Sequence, residues 1–158
     1  MLHVTVVCTG NICRSPMGDI VLRKAVADAG LQDQVRVDSC GIGGWHIGQK
    51  ADRRALATLA DAGYDGSGHR AAQLDDAHAQ ADLIIAMDRG HRRALVEYGV
   101  EPEKIHLLRE FDPNATGEDV EDPYYGYPSD FVTVLEQIEA AIPGIMAWLQ
   151  QRLEDIQA

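Results

Sequence analysis

The stretch Leu2-His3-Val4-Thr5-Val6-Val7-Cys8-Thr9-Gly10-Asn11-Ile12-Cys13-Arg14-Ser15-Pro16 sets the frame for the whole chain. Leu2–Val7 is rich in β-branched residues and predicts a strand. From Pro16 to about Ala29, Ile20, Val21, Lys24 and Ala25 fall at helical spacing, and Gly30 stops the pattern. Residues 8–15 therefore form a short loop between a strand and a helix, with Gly10 permitting a tight path.

The same alternation continues along the chain. Val35–Ser39 predicts a second strand, ending at the turn of Gly41, Gly43 and Gly44. Ala51–Ala62 predicts a helix closed by Gly63, and Asp82–Met87 a third strand. Asp88–Tyr98 predicts a helix capped by Asp88 and ended by Gly99, and Ile105–Leu108 a short fourth strand. A long loop with Pro113, Gly117, Pro123, Gly126 and Pro128 follows. Ser129 to about Ile156 reads as helical, with Ser129 or Asp130 as cap and Pro143-Gly144 expected to kink or interrupt it. Strands alternating with helices predict one α/β domain over residues 1–158. Its parallel sheet is covered on both faces and Rossmann-like. Ligands of such sheets bind at the carboxyl ends of the strands, so the loops after Val7, Ser39, Met87 and Leu108 should face one another.

Composition narrows the function classes. A hydrophobic share of 46% and a charged share of 25% over 158 residues fit a globular domain with its own core. The net charge is −11, and residues 101–158 hold 13 of the 25 acidic groups but only 3 of the 14 basic ones. Nucleic acid and anionic membrane both require a basic face, so neither is expected as a partner. No apolar run approaches the roughly 20 residues of a membrane span. The first residues lack a basic lead and a cleavage site, which predicts a cytoplasmic protein, although an unconventional export route would leave no such signal. Three cysteines, Cys8, Cys13 and Cys40, argue against a disulfide framework.

The loop itself carries the chemistry. Backbone N–H groups of residues 9–15 can curl into an anion nest, and the following helix adds the positive end of its dipole. Thr9, Gly10, Asn11, Ile12, Cys13, Arg14 and Ser15 are thus the candidate phosphate-binding residues. A cysteine facing such a nest is held as a thiolate, which makes Cys8 a candidate nucleophile. Arg14, six residues on, can grip two phosphoryl oxygens at once. Ser15 can donate to the Cys8 sulfur or cap the helix. The loop lacks the second glycine and the lysine of a Walker nucleotide site. Cys8 and Cys13 have no second ligand pair at structural-zinc spacing, so neither metal nor cofactor is expected. A reaction of this kind also needs a proton donor. Glu118, Asp119, Glu121 and Asp122 crowd one loop, and composition does not choose among them. Asp122 stands out because Pro123 stiffens it and Tyr124 and Tyr125 follow. The curl of the loop also brings Cys13 towards Cys8, which would allow a reversible disulfide.

These segments resemble the low-molecular-weight protein tyrosine phosphatases, in their bacterial form. CTGNICRSP at residues 8–16 is similar to the family signature. Asp122-Pro123-Tyr124-Tyr125-Gly126 is similar to its general-acid loop. Ser39-Cys40-Gly41 with Trp45, His69-Arg70-Ala71-Ala72-Gln73-Leu74 and Ala86-Met87-Asp88 are similar to supporting segments. The resemblance covers essentially the whole chain. It implies sheet order 2-1-3-4 and hydrolysis of phosphotyrosine and aryl phosphates through a phosphocysteine. It makes Cys8, Arg14 and Asp122 catalytic, and Trp45, Tyr124 and Tyr125 the walls of the substrate pocket. Asn11, Ser39 and His69 become the support of the loop. Phosphotyrosine proteins and a cognate tyrosine kinase are the implied partners of a monomer or weak dimer. Cys40 and Ile42 depart from the family's usual alanine and threonine. Two rivals remain open at this point: a small-thiol-linked arsenate reductase on the same fold, and a phosphotyrosine-binding module without catalysis.

Overall fold

A computed structural model describes residues 1–158. Four strands, β1 (Leu2–Cys8), β2 (Val35–Gly41), β3 (Leu83–Ala86) and β4 (Ile105–Leu107), form one sheet in the order β2-β1-β3-β4. Every neighbouring pair is parallel. Val7 pairs with Cys40 on one side and Ala86 on the other, so the carboxyl ends of the three longest strands lie level. The expected α/β class and strand order both hold.

The period of two along each strand divides the core into two layers. Val4, Val6, Cys8, Val35, Val37, Leu83 and Ile85 face helices α1 (Arg14–Asp28), α2 (Arg53–Asp61) and the last, long helix. Val7, Cys40, Ile84, Ala86 and Leu107 face the opposite way, towards Leu95 of helix α4 (Arg89–Tyr98). Cys8 and Cys40 therefore lie on opposite faces of the sheet.

The sequence expectations shift in several places. Helix α2 starts at Arg53 rather than Ala51, with Asp52 as its cap. Helix α1 begins at Arg14, two residues before Pro16, with Cys13 at its cap position and no side-chain cap. Pro16 still sits in the first turn, where its missing N–H costs nothing. A one-turn helix, α3 (Asp76–Ala79), was not expected. Asp75 caps it by accepting from the His78 N–H at 3.0 Å.

The last helix, α5 (Pro128–Gln157), starts at Pro128 rather than at Ser129 or Asp130. It runs 30 residues without a break, so Pro143-Gly144 does not interrupt it. Pro143 is exposed, so the Glu139 carbonyl that it leaves without an N–H partner faces solvent. Gly144 has a different reason. A Cβ there would lie 2.2 Å from the Phe111 carbonyl oxygen, so only glycine lets the 3-10 turn Leu108–Phe111 press against the helix. By length and hydropathy α5 would pass for a membrane span. Its buried residues, Phe131, Val134, Leu135, Ile138, Ala141, Ile145 and Leu149, instead form one stripe at helical spacing within the core.

Candidate active site

The loop between β1 and α1 is fixed from below. Asn11 adopts a left-handed backbone, φ 59°, and is fully buried. Its side-chain amide donates to Ser15 Oγ at 2.8 Å and to Ser39 Oγ at 3.0 Å. Its side-chain oxygen accepts the Ala72 N–H at 2.9 Å. His69 Nε2 meets the Asn11 carbonyl at 2.8 Å, and burial pulls its pKa below the usual histidine value. Ser39 Oγ in turn donates to Asp19 Oδ2 at 3.0 Å. A Cβ on Gly41 would approach the backbone of Thr9, Gly10 and Asn11 to within 2.9–3.0 Å, so the end of β2 braces the loop only because it is bare there.

This network limits the direction of one hydroxyl. Ser15 Oγ accepts from Asn11, and its proton can go to Cys8 Sγ at 2.9 Å or to the longer-range Cys40 carbonyl at 3.4 Å. Ser15 thus faces the cysteine and does not cap the helix. Cys13 is buried beside the same pocket. Burial, then the charges of Asp52 and Cys8, push its pKa well above the usual thiol range. Cys13 is thus a thiol. Cys40 is fully buried on the other face of the sheet, where burial raises its thiol to about 12. Only its carbonyl approaches the site, 3.4 Å from Ser15 Oγ.

Arg14, 3% exposed, is held from three directions. Nη1 donates to Asp88 Oδ2 at 2.8 Å and to the Val120 carbonyl at 2.9 Å, while Nη2 lies 3.3 Å from Thr9 Oγ1. Thr9 Oγ1 shares a 2.9 Å hydrogen bond with His91 Nε2. Burial, with Arg14 nearby, drives His91 down to about 4, so it is a neutral ring. Burial works against the Asp88 charge, but the His91 N–H, His91 and Arg14 outweigh it and hold that carboxyl below its ordinary value. Asp122 Oδ2 lies 3.6 Å from Arg14 Nη2, and its side chain is 48% exposed.

These groups converge on a narrow pocket of about 80 Å³ that includes Cys8, Thr9, Gly10, Ile12, Cys13, Arg14, Trp45, His46, Asp122 and Tyr124. Loops following β1, β2 and β4 meet there, and the turn after β3 contributes Asp88 through Arg14. Of the expected walls, Trp45 and Tyr124 line the pocket. Tyr125 does not: it is 94% exposed and packs edge-on against Tyr124 at 4.9 Å, outside the cleft. His46, His91 and Asp19 were not read from the sequence as site residues. Asp88 was legible as a helix cap and as part of a family-like supporting segment; nothing local marks it as the partner of an arginine 74 positions away. No group of three or more His, Cys, Asp or Glu side chains is placed to hold a metal ion. Two larger depressions, of about 630 and 840 Å³, lie beside and behind the pocket, but neither contains Cys8.

The fold and the site together define a parallel α/β domain with a cysteine at the base of an anion-binding loop. Residues 3–155 match the family model of the low molecular weight phosphotyrosine protein phosphatases. The chain belongs to that family, and its reaction class is phosphomonoester hydrolysis by a cysteine-based protein tyrosine phosphatase. It is 50% identical over 154 residues to low molecular weight protein-tyrosine phosphatase A of Mycobacterium tuberculosis, spanning 96% of this chain and 94% of that one. It is 46% identical over 158 residues to a low molecular weight protein-tyrosine-phosphatase of Streptomyces coelicolor, spanning 96% of each. A crystal structure of a protein tyrosine phosphatase from Entamoeba histolytica superposes with a TM-score of 0.90 at 28% identity, over 96% of this chain and 98% of that one.

Proposed function

We propose that Cys8 is the nucleophile, Arg14 the phosphoryl clamp and Asp122 the acid and base of this phosphatase. Cys8 Sγ attacks phosphorus in line, forming the S–P bond as the bond to the tyrosine oxygen breaks. Asp122 gives its proton to the departing oxygen. Arg14 and the amides of residues 9–15 hold the remaining phosphoryl oxygens. A water then attacks phosphorus, Asp122 takes its proton, and the S–P bond breaks to return the thiolate. The Ser15 hydroxyl stabilises the sulfur as it leaves. Trp45 and Tyr124 flank the aryl ring, with Ile12 beside them.

One observation supports this reading above the others. Cys8 and Arg14 of the loop after β1 and Asp122 of the segment after β4 share one pocket of about 80 Å³. A non-catalytic binding module has no use for the thiol and the acid together. A cysteine relay for arsenate reduction is not favoured, because Cys40 faces away from Cys8 and no cysteine follows it, and against the small-thiol-linked version stand the acid Asp122 and the aromatic walls Trp45 and Tyr124. One structural neighbour, 26% identical, is described as an arginine phosphatase. The two aromatic walls favour an aryl phosphate here. The same reading makes phosphotyrosine proteins the substrates, a tyrosine kinase the opposing enzyme and the cytoplasm the site of action of a monomer or weak dimer.

The test is hydrolysis of a simple aryl phosphate with a chelator present, wild type beside Cys8→Ser, with a phosphoarginine peptide in parallel. Turnover of the aryl phosphate by wild type alone is the expected result. Equal turnover by Cys8→Ser, or preference for phosphoarginine, overturns it.

A further inference from the structure

The catalytic pocket has room for a phosphoryl group and a ring, so the rest of a protein substrate must leave through its mouth. On one side the mouth opens into a groove of about 840 Å³ that shares Ile12, His46 and Tyr124 with it. The start of α2 and the segment before it form one wall, and Pro128, Ser129 and Val132 of α5 form the other.

The charge of this groove runs against that of the molecule. The chain carries −11, yet the α2 wall presents Lys50, Arg53 and Arg54 against Asp52 and Asp61. Asp52 and Arg54 are occupied with each other and with the fold. Asp52 accepts from the Arg54 N–H at 2.8 Å and from its Nη2 at 2.9 Å. Arg54 Nη2 also donates to the Tyr124 carbonyl at 2.9 Å, tying α2 to the acid loop. Lys50 and Arg53 are exposed and enter no hydrogen bond or ion pair within the protein. Across the mouth, Glu118 and Asp119 are paired with Arg89 and Asp122 faces Arg14 at 3.6 Å, while the neighbouring Glu121 is exposed and enters no ion pair. The mouth thus has a basic side and an acidic side.

We propose that this groove is a substrate subsite, in which Lys50 and Arg53 select acidic residues flanking the phosphotyrosine. The inference rests on the phosphatase reading and adds a sequence preference to it. An acidic flank is drawn to the α2 wall and repelled by the opposite lip, which also sets the orientation of the peptide. A basic flank meets the reverse field. Exposed charge pairs are individually weak, so two of them yield a preference of about threefold to thirtyfold that salt erodes.

The experiment measures kcat/KM on two phosphotyrosine peptides that differ only in carrying Glu or Lys at the flanking positions. Aryl phosphate, too small to reach the groove, is the internal standard. The enzymes are wild type and the double variant Lys50→Glu/Arg53→Glu. Wild type is expected to prefer the Glu peptide about tenfold at low salt, falling towards unity near 0.5 M salt. The double variant is expected to lose or reverse the preference while still turning over the standard. Equal rates on both peptides in wild type, or an unchanged preference in the double variant, overturn the subsite and leave the phosphatase intact. No turnover of the standard by wild type overturns the catalytic reading and the subsite with it.

Discussion

The two segments that meet over the pocket are built in opposite ways. In the loop of residues 8–15, Asn11 and Ser15 are fully buried, and each polar side chain has a named partner beneath it. The segment Glu118–Gly126 lies mostly in solvent. Its buried residues are Pro123 and Val120, whose N–H bonds the Met87 carbonyl at 2.8 Å. Beyond that bond it is held by Arg54 and by Arg89, whose side chain donates to Asp119 at 3.1 Å. The side proposed to attack is pre-formed, and the side proposed to supply the proton is lightly tethered. Damage to the first should strike every substrate and the stability of the fold. Damage to the second should depend on the leaving group.

The sharpest break of that contrast is Cys8→Ser, for which we expect loss of turnover with phosphate binding retained, read by steady-state assay and by titration with phosphate. Next comes Gly41→Ala. A methyl placed 2.9 Å from the Gly10 backbone should displace the loop and lower kcat/KM for all aryl phosphates alike, by about 100-fold. It should also cost about 1–3 kcal/mol in denaturant unfolding. Asp122→Asn tests the other segment. It should slow poor leaving groups by about 100-fold or more and good ones far less, with the melting temperature unchanged. Equal slowing across a leaving-group series would remove the acid role.

Smaller effects separate the buried supports. Burial raises the Asp19 carboxyl to about 6, against the pull of Arg23, so the folded protein holds that proton more tightly than the unfolded chain does. Its contribution to stability is therefore fullest below about pH 4 and is lost as pH rises through about 6. His91 has the opposite sign. Its ring, driven down to about 4, contributes stability above about pH 6.5 that is lost as pH falls towards 4. The two largely mask each other in wild type. Asp19→Asn should unmask a loss on acidification, and His91→Asn a loss on alkalinisation, each on the order of 2–3 kcal/mol across pH 4–7. Unfolding curves that are parallel at every pH would deny both shifts. Last, Cys13→Ser should leave turnover nearly intact. After peroxide oxidises Cys8 to a sulfenic acid, wild type can condense that group with the Cys13 thiol, releasing water, and recover with dithiothreitol. The variant should recover much less.

The contrast also explains what the sequence made legible. The attacking loop is local: a β-branched strand, a glycine, a cysteine and an arginine six residues on carry its chemistry in one continuous stretch. The sheet order followed from the family resemblance of several such stretches. The supports were less visible because they are contacts across the fold. Asp19 reaches Ser39 across 20 positions, and Arg14 reaches the Val120 carbonyl across 106. Backbone carbonyls carry no sequence signature at all. Pro143-Gly144 misled for a related reason. A proline breaks a helix where its freed carbonyl is buried, and the pattern alone does not say that this one is in water.

The Arg14 bond to the Val120 carbonyl ties two functions into one event. Val120 lies two residues before Asp122, so seating the acid loop also aims the guanidinium. On the roles proposed above, lifting that loop would take away the proton donor and one anchor of the phosphate clamp together, leaving Arg14 to Asp88 and Thr9. On the same roles, lifting this segment would both discharge inorganic phosphate and leave the site without its acid until the next substrate brings the loop down.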